Sequence, residues 1–154
     1  MSTSKSHPTI DLSTEMKDAA AYQWLLDFHA AGDSLNPEPW VTTFFSPDCE
    51  MRFPGQPILK GHKEIIAFFK RQFANLDSMK HTIRHFDTLP DRIYQEATIS
   101  YVARADPEKE QIDIPGIAIF GKGVGEERMS FFTVYLDPSP LHKKIRSVSA
   151  ALDP

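Results

Sequence analysis

An α+β fold is predicted by three features of the chain: helical periodicity confined to the first half, strand alternation through most of the second, and short turn strings between the alternating segments. Elements segregated in this way pack as helices laid on one face of a mostly antiparallel sheet. With 154 residues, 41% of them hydrophobic and 11% aromatic, the chain has enough apolar surface for one domain with a real core. No internal repeat or second domain is visible.

Residues 1 to 12 have the low hydrophobicity of a disordered tail, which leaves 13–154 as the domain. The first periodic segment is "STEMKDAAAYQWLLDFHAAGD", read as a helix from near Ser13 to Gly32. Tyr22, Leu25, Leu26 and His29 follow helical spacing within it, so His29 is expected on an inward face near the helix end. "NPEPWVTTFF" offers Asn36 as N-cap and Pro37 at the first helical position, where a missing N–H costs nothing; it reads as a short second helix. "CEMRFPGQPILKG" alternates and then turns at Pro54-Gly55, a strand followed by a loop. In "HKEIIAFFKRQFANL" the apolar stripe Ile65, Ile66, Phe69, Phe73 and Leu76 marks a third helix. The remainder reads as strands at about 80–88, 92–104, 111–121, 127–136 and 143–151, separated by "LPD", "DPEKEQ", "GKGVGEE" and "DPSPLH".

Charge narrows the function. The net charge is −4 and basic residues are scattered singly, which does not supply the positive footprint needed to neutralise a run of phosphates, so no nucleic-acid partner is expected. The lone cysteine, Cys49, cannot form an internal disulfide and reads as a small buried hydrophobe. The beginning of the chain is polar, and no stretch approaches the ~18 apolar residues of a membrane span. A cytoplasmic protein without membrane contact is the resulting expectation.

The stretch "MKHTIRHF", Met79 to Phe86, carries two histidines in strand alternation. In strand period His81, Ile83 and His85 share a face, and the apolar Ile83 marks that face as buried. "HTIRH" has the spacing of the zinc motif H-E-x-x-H, but Thr82 stands where the glutamate belongs, and four strand residues separate the rings by ~13 Å; no metal is expected. His81 could therefore exchange a proton with a ligand or sit as a neutral, backbone-bonded core residue. For His29 the macrodipole at a helix C-terminus is a sufficient alternative reason. Tyr101 shares a strand face with Ala97, Ile99 and Ala103 and could present its hydroxyl beside small neighbours or be packed in the core. His62 opens the third helix and reads as solvated, Glu50 and Arg52 as an exposed pair, and Asp33 as a cap for the following turn.

The order of elements and three strings, "HAAGD", "FFSPDCEMRFPGQPILKGHKEIIAFF" and "KHTI", resemble the SnoaL-like branch of the NTF2-like superfamily over about residues 14–152. The resemblance implies a cone: three N-terminal helices on a strongly curved sheet, with an open end leading to a deep pocket. Families on this fold include polyketide cyclases, ketosteroid isomerase, scytalone dehydratase, limonene-epoxide hydrolase and non-catalytic binding or dimerisation domains, so pocket residues must decide the function. Ketosteroid isomerase would place its tyrosine, base and oxyanion-hole acid at Leu25, Phe53 and Phe132, all apolar here. Scytalone dehydratase would place a strand histidine at His81 and a first-helix tyrosine at or beside His29, whereas its tyrosine at the Phe53 position is missing.

The resulting expectation is a cofactor-independent isomerase, cyclase or dehydratase of secondary metabolism acting on an apolar, polyketide- or terpenoid-like molecule. Its catalytic candidates are His81, His29 and Tyr101, and its substrate wall comprises Tyr22, Leu25, Trp40, Met51, Phe53, Phe69 and Phe132. The alternative is a binding or dimerisation module. A homodimer is expected through the outer sheet face, where Phe131, Thr133 and Tyr135 alternate away from Phe132.

Overall fold

The computed structural model describes residues 8–152, with side-chain environments from Asp18 onward. Three helices precede most of the sheet: α1 (Pro8–Asp33), α2 (Pro37–Phe44) and α3 (Gly61–Phe73). The strands are β1 (Phe45–Arg52), β2 (Leu59–Lys60), β3 (Leu76–Leu89), β4 (Arg92–Ala103), β5 (Gln111–Gly121) and β6 (Met129–Leu136), and α4 (Ser139–Leu152) closes the described chain. They form one curled six-stranded sheet ordered β2-β1-β6-β5-β4-β3, antiparallel throughout except where β1 runs parallel to β6. This is the α+β, NTF2-like architecture expected from the sequence.

Helices α1 to α3 cover the concave face because each has an apolar stripe to bury. Ala21, Leu25, Phe28 and His29 form the buried side of α1, and Ile65, Phe69 and Phe73 that of α3. Phe28 is the hub of the core, in aromatic contact with Trp24, Trp40, Phe44, Phe45, Phe120 and Phe132. Cys49 is fully buried, as read from the sequence, and burial pushes its thiol up to about 12. Among the described residues no helix is long and apolar enough to cross a membrane.

Four expectations are corrected. The segment expected as a strand over 143–151 is helix α4. Leu141, Ile145 and Val148 recur at helical spacing and face the domain, and Asp137 caps the start by accepting hydrogen bonds from the Ser139 backbone N–H (3.0 Å) and hydroxyl (2.6 Å). Helix α1 begins at Pro8 rather than near Ser13, so residues 8–12 of the expected tail are helical and its residues 1–7 lie outside the described chain. His62 is half-buried rather than solvated, and its Nε2 donates to the Phe45 carbonyl at 2.7 Å. Finally, the β3/β4 register slips between Ile83 and His85. That bulge breaks the shared face of His81, Ile83 and His85: His85 is exposed with its Nε2 3.1 Å from Asp87, and Phe86 turns back to stack on Tyr22.

Candidate functional site

The concave side of the sheet and the helices enclose a cavity of about 420 Å³. Its floor is aromatic and aliphatic: Phe28, Trp40 and Phe69 from the helices, Met51, Ile99 and Phe132 from the strands. Its rim is polar, built from Gln56, Gln72, Asn75, His142 and Arg146, all exposed. Helix α4 lies over this opening, with Leu141, His142, Ile145 and Arg146 turned to the cavity. A wider and more open depression of about 880 Å³ surrounds Asp18, Asp91, Lys122 and Glu126 but contains none of the histidines. The enclosed apolar cavity with few convergent polar groups is the better ligand site.

Three polar residues meet at its wall: His29 and His81 line the cavity, and Asp33 is bonded to His81. Asp33, the last residue of α1, receives the His81 ring Nδ1–H at 2.7 Å on one carboxylate oxygen and the His81 backbone N–H at 2.9 Å on the other. Asp33 is thus a clamp on His81 rather than the turn cap expected from the sequence. With Nδ1 committed to the carboxylate, Nε2 is the ring nitrogen left for a ligand. The pair is only partly buried, with side-chain exposures of 16% for His81 and 19% for Asp33, so solvent protons can reach the ring.

His29 lies one helical turn before Asp33 and stacks on His81, ring centroids 4.2 Å apart and planes 17° from parallel. Its Nε2–H donates to Gln95 Oε1 at 2.7 Å, while its buried Nδ1 has no partner among the described residues. Burial, and then the neighbouring His81, push the imidazole down to about 3, against smaller opposing effects of Gln95 and Asp33. His29 is therefore a neutral ring near neutrality. Two stacked imidazolium ions in a desolvated wall would repel, and a neutral His29 removes that repulsion.

Tyr101 is half-buried in β4, and no hydrogen bond of its hydroxyl to another described residue is present. Burial, and then the Asp33 charge, hold its phenol above the ordinary tyrosine range, which keeps it a neutral donor. The Trp40 indole N–H is likewise buried without a partner among the described residues. Of the expected wall residues, Trp40, Met51, Phe53, Phe69 and Phe132 line the cavity. Tyr22 and Leu25 do not. Tyr22 is 46% exposed and stacks on Phe86 at 5.8 Å, whereas Leu25 is sealed in the core.

Sequence reasoning missed Asp33 as a site residue, and Gln95 and Arg146 altogether. The four-residue step from His29 to Asp33 in "HAAGD" was the available signal, because it places both on one helix face. Nothing local marked Gln95, an inward polar residue whose partner is 66 positions away. Among the described residues no group of three or more His, Cys, Asp or Glu side chains could hold a metal ion.

No curated protein matches the chain. Solved structures do. A candidate SnoaL-like polyketide cyclase from Jannaschia sp. CCS1 is 14% identical, with a TM-score of 0.66 over 82% of this chain and 92% of that one. A Catenulispora acidiphila DSM 44928 protein with a ketosteroid isomerase-like fold, in complex with trimethylamine, is 18% identical, with a TM-score of 0.62 over 73% and 83%. TerC, co-crystallised with polyporic acid, is 17% identical, with a TM-score of 0.64 over 81% and 97%. At these identities the likeness establishes the fold alone. The family model described as SnoaL-like domain matches residues 25–122, a span that holds His29, Asp33, His81 and Tyr101, and the chain belongs to that SnoaL-like family.

Proposed function

We propose that the protein is a cofactor-independent isomerase, cyclase or dehydratase for an apolar small molecule of polyketide or terpenoid type, with His81 as its acid/base. The observation that carries this reading is the Asp33 clamp. A carboxylate on Nδ1–H selects one imidazole tautomer, turns Nε2 into a proton acceptor aimed away from the clamp, and stabilises the imidazolium formed on protonation.

The chemistry follows from the wall. A ligand lies against Phe28, Phe69 and Phe132, and Nε2 of His81 removes a proton from a carbon or hydroxyl of the bound molecule. The Tyr101 hydroxyl donates to the ligand oxygen on which negative charge develops. His81 then returns the proton to another atom, which completes an isomerisation or a ring closure, or to a departing hydroxyl, which completes a dehydration. Proton transfer of this kind supplies roughly 10²–10⁴-fold in rate, and positioning in the apolar cavity supplies the rest. His29 is placed to stiffen the His81 ring by stacking.

A second reading, a ligand-binding or dimerisation module, is favoured by the apolar Leu25, Phe53 and Phe132 at the positions where ketosteroid isomerase would carry polar catalytic groups. Metabolite profiling separates the two. A deletion strain accumulates a compound that wild-type protein removes and His81→Phe does not if the enzyme reading holds; complementation by His81→Phe would refute it.

We also propose a homodimer, seated on the outer sheet face in the cytoplasm. Tyr135 is 52% exposed and pairs across the ladder with Ile117, itself 46% exposed. Large apolar side chains bare on adjacent strands support a covered face. Phe131 and Thr133 contribute less than their alternation promises. Phe131 lies between the guanidinium groups of Arg52 and Arg92, 5.0 and 5.2 Å from its centroid, and Thr133 is buried by its neighbours.

A further inference from the structure

The residues that line the cavity include no aspartate or glutamate, the nearby Asp33 carboxylate being engaged by His81, although the chain as a whole is acidic with net charge −4. Its one permanent charge is Arg146, held over the mouth by α4 one turn beyond His142. Among the described residues, five cationic side chains elsewhere have a carboxylate partner: Arg52 and Lys60 at Glu50, Lys70 at Glu38, Arg92 at Asp91, Lys144 at Asp106, Glu108 and Glu110, whereas Lys63, Arg71, Lys80, Lys109 and Lys143 are exposed without one and lie outside the cavity lining. Arg84, Arg104 and Arg128 donate to a threonine hydroxyl or a backbone carbonyl. Arg146 makes no ion pair or side-chain hydrogen bond with any described residue, while its neighbour Lys144 anchors the same helix through three carboxylates at 3.0–3.3 Å.

From this arrangement we infer that the cavity's ligand carries an acidic group, a carboxylate or a comparably acidic enol or phenol, and that Arg146 receives it at the mouth while the apolar body occupies the aromatic floor. The inference rests on the site assigned under the proposed function and adds to it the class of ligand. A planar guanidinium offers a carboxylate two parallel N–H donors, and no acid among the lining residues competes for them. His142 and the rim amides of Gln56, Gln72 and Asn75 add donors but no opposing charge. An anion anchored at the rim leaves the far end of the molecule at His81, so Arg146 determines specificity and orientation without touching the reacting atoms.

The test compares two probes of one shape, pyrenecarboxylate and the neutral pyrenecarboxamide, in fluorescence titrations of the full chain at low ionic strength. The carboxylate is expected to bind roughly five- to tenfold tighter, with the advantage fading in high salt. In Arg146→Gln that advantage should vanish while amide binding stays unchanged, which also shows that the cavity is intact. Equal affinity of the two probes for the wild type, a preference that survives Arg146→Gln, or no binding of either probe would each overturn the inference. His81→Phe separates it from the enzyme reading. That variant should keep the carboxylate preference, and if it also kept full conversion of the natural compound, the catalytic reading would fall while the ligand class stood.

Discussion

Asp33 grips His81 at two points, ring Nδ1 at 2.7 Å and backbone N–H at 2.9 Å, across 48 positions of sequence. One carboxylate therefore fixes both where the strand sits and which imidazole nitrogen carries the proton. In Asp33→Asn the side-chain oxygen can keep the backbone contact, but the amide then presents N–H to Nδ1. His81 should switch to the Nε2–H tautomer and lose its base toward the cavity. The expected loss of turnover is about 10²–10⁴-fold with the fold retained. Long-range proton–nitrogen NMR of histidine-labelled protein at alkaline pH reads the tautomer directly; an unchanged spectrum would remove the clamp from the mechanism.

Acid should weaken the fold through His29. Its folded value is about 3 and its ordinary value 6.5, so between those limits the unfolded chain binds the extra proton. Stability from this group is present above pH 6.5 and drains as pH falls toward 3, by roughly 1 kcal/mol per pH unit. Urea midpoints at neutral and acid pH should therefore converge in His29→Phe relative to wild type. The variant starts lower at neutral pH because Gln95 loses its buried partner. Parallel pH slopes for the two proteins would contradict this.

Gly32 sets the depth of the Trp40 ring. A Cβ there would lie 2.9 Å from Trp40 Cε2 and 3.2 Å from its Nε1, so Gly32→Ala forces the indole toward the cavity. Alanine's better helix propensity offsets part of the strain, roughly 1 kcal/mol against an overpacking cost of about 1–3 kcal/mol. A net fall in the denaturation midpoint and weaker binding of apolar probes are expected. A midpoint at or above wild type would show that Trp40 has room to move.

Light scattering at micromolar concentration should return twice the chain mass of 17.5 kDa, and Tyr135→Lys combined with Ile117→Lys should return the monomer. A wild-type monomer would refute the dimer and leave the cavity argument intact.

Much of the fold was legible because helical and strand periods are local. The stripes in α1 and α3 and the turn strings bounding β3 to β6 each declare their element without reference to the rest of the chain. Helix α4 was not legible as a helix because "DPSPLH", which holds its Asp137 cap and Leu141, reads as a turn and leaves only "IRSVSA" to declare a period. Its helical stripe, Leu141, Ile145 and Val148, and its Asp137 cap start before that string. The wall was half legible. His81 could be placed inward by strand period, but the bulge that ejects His85 depends on the β3/β4 pairing. Likewise Tyr22 and His29, seven positions apart and nominally on one face of α1, part company: His29 is buried against Gln95 and Tyr22 is exposed against Phe86, partners from distant strands.

The central claim is that His81 moves a proton and His85 does not. It is tested by measuring denaturation midpoint and conversion of the accumulating metabolite side by side for His81→Phe and His85→Phe. His81→Phe should remain folded and lose conversion by orders of magnitude with little change in substrate affinity, while His85→Phe should behave as wild type. A His81→Phe protein whose midpoint falls but whose folded fraction converts substrate at the wild-type rate would contradict the account.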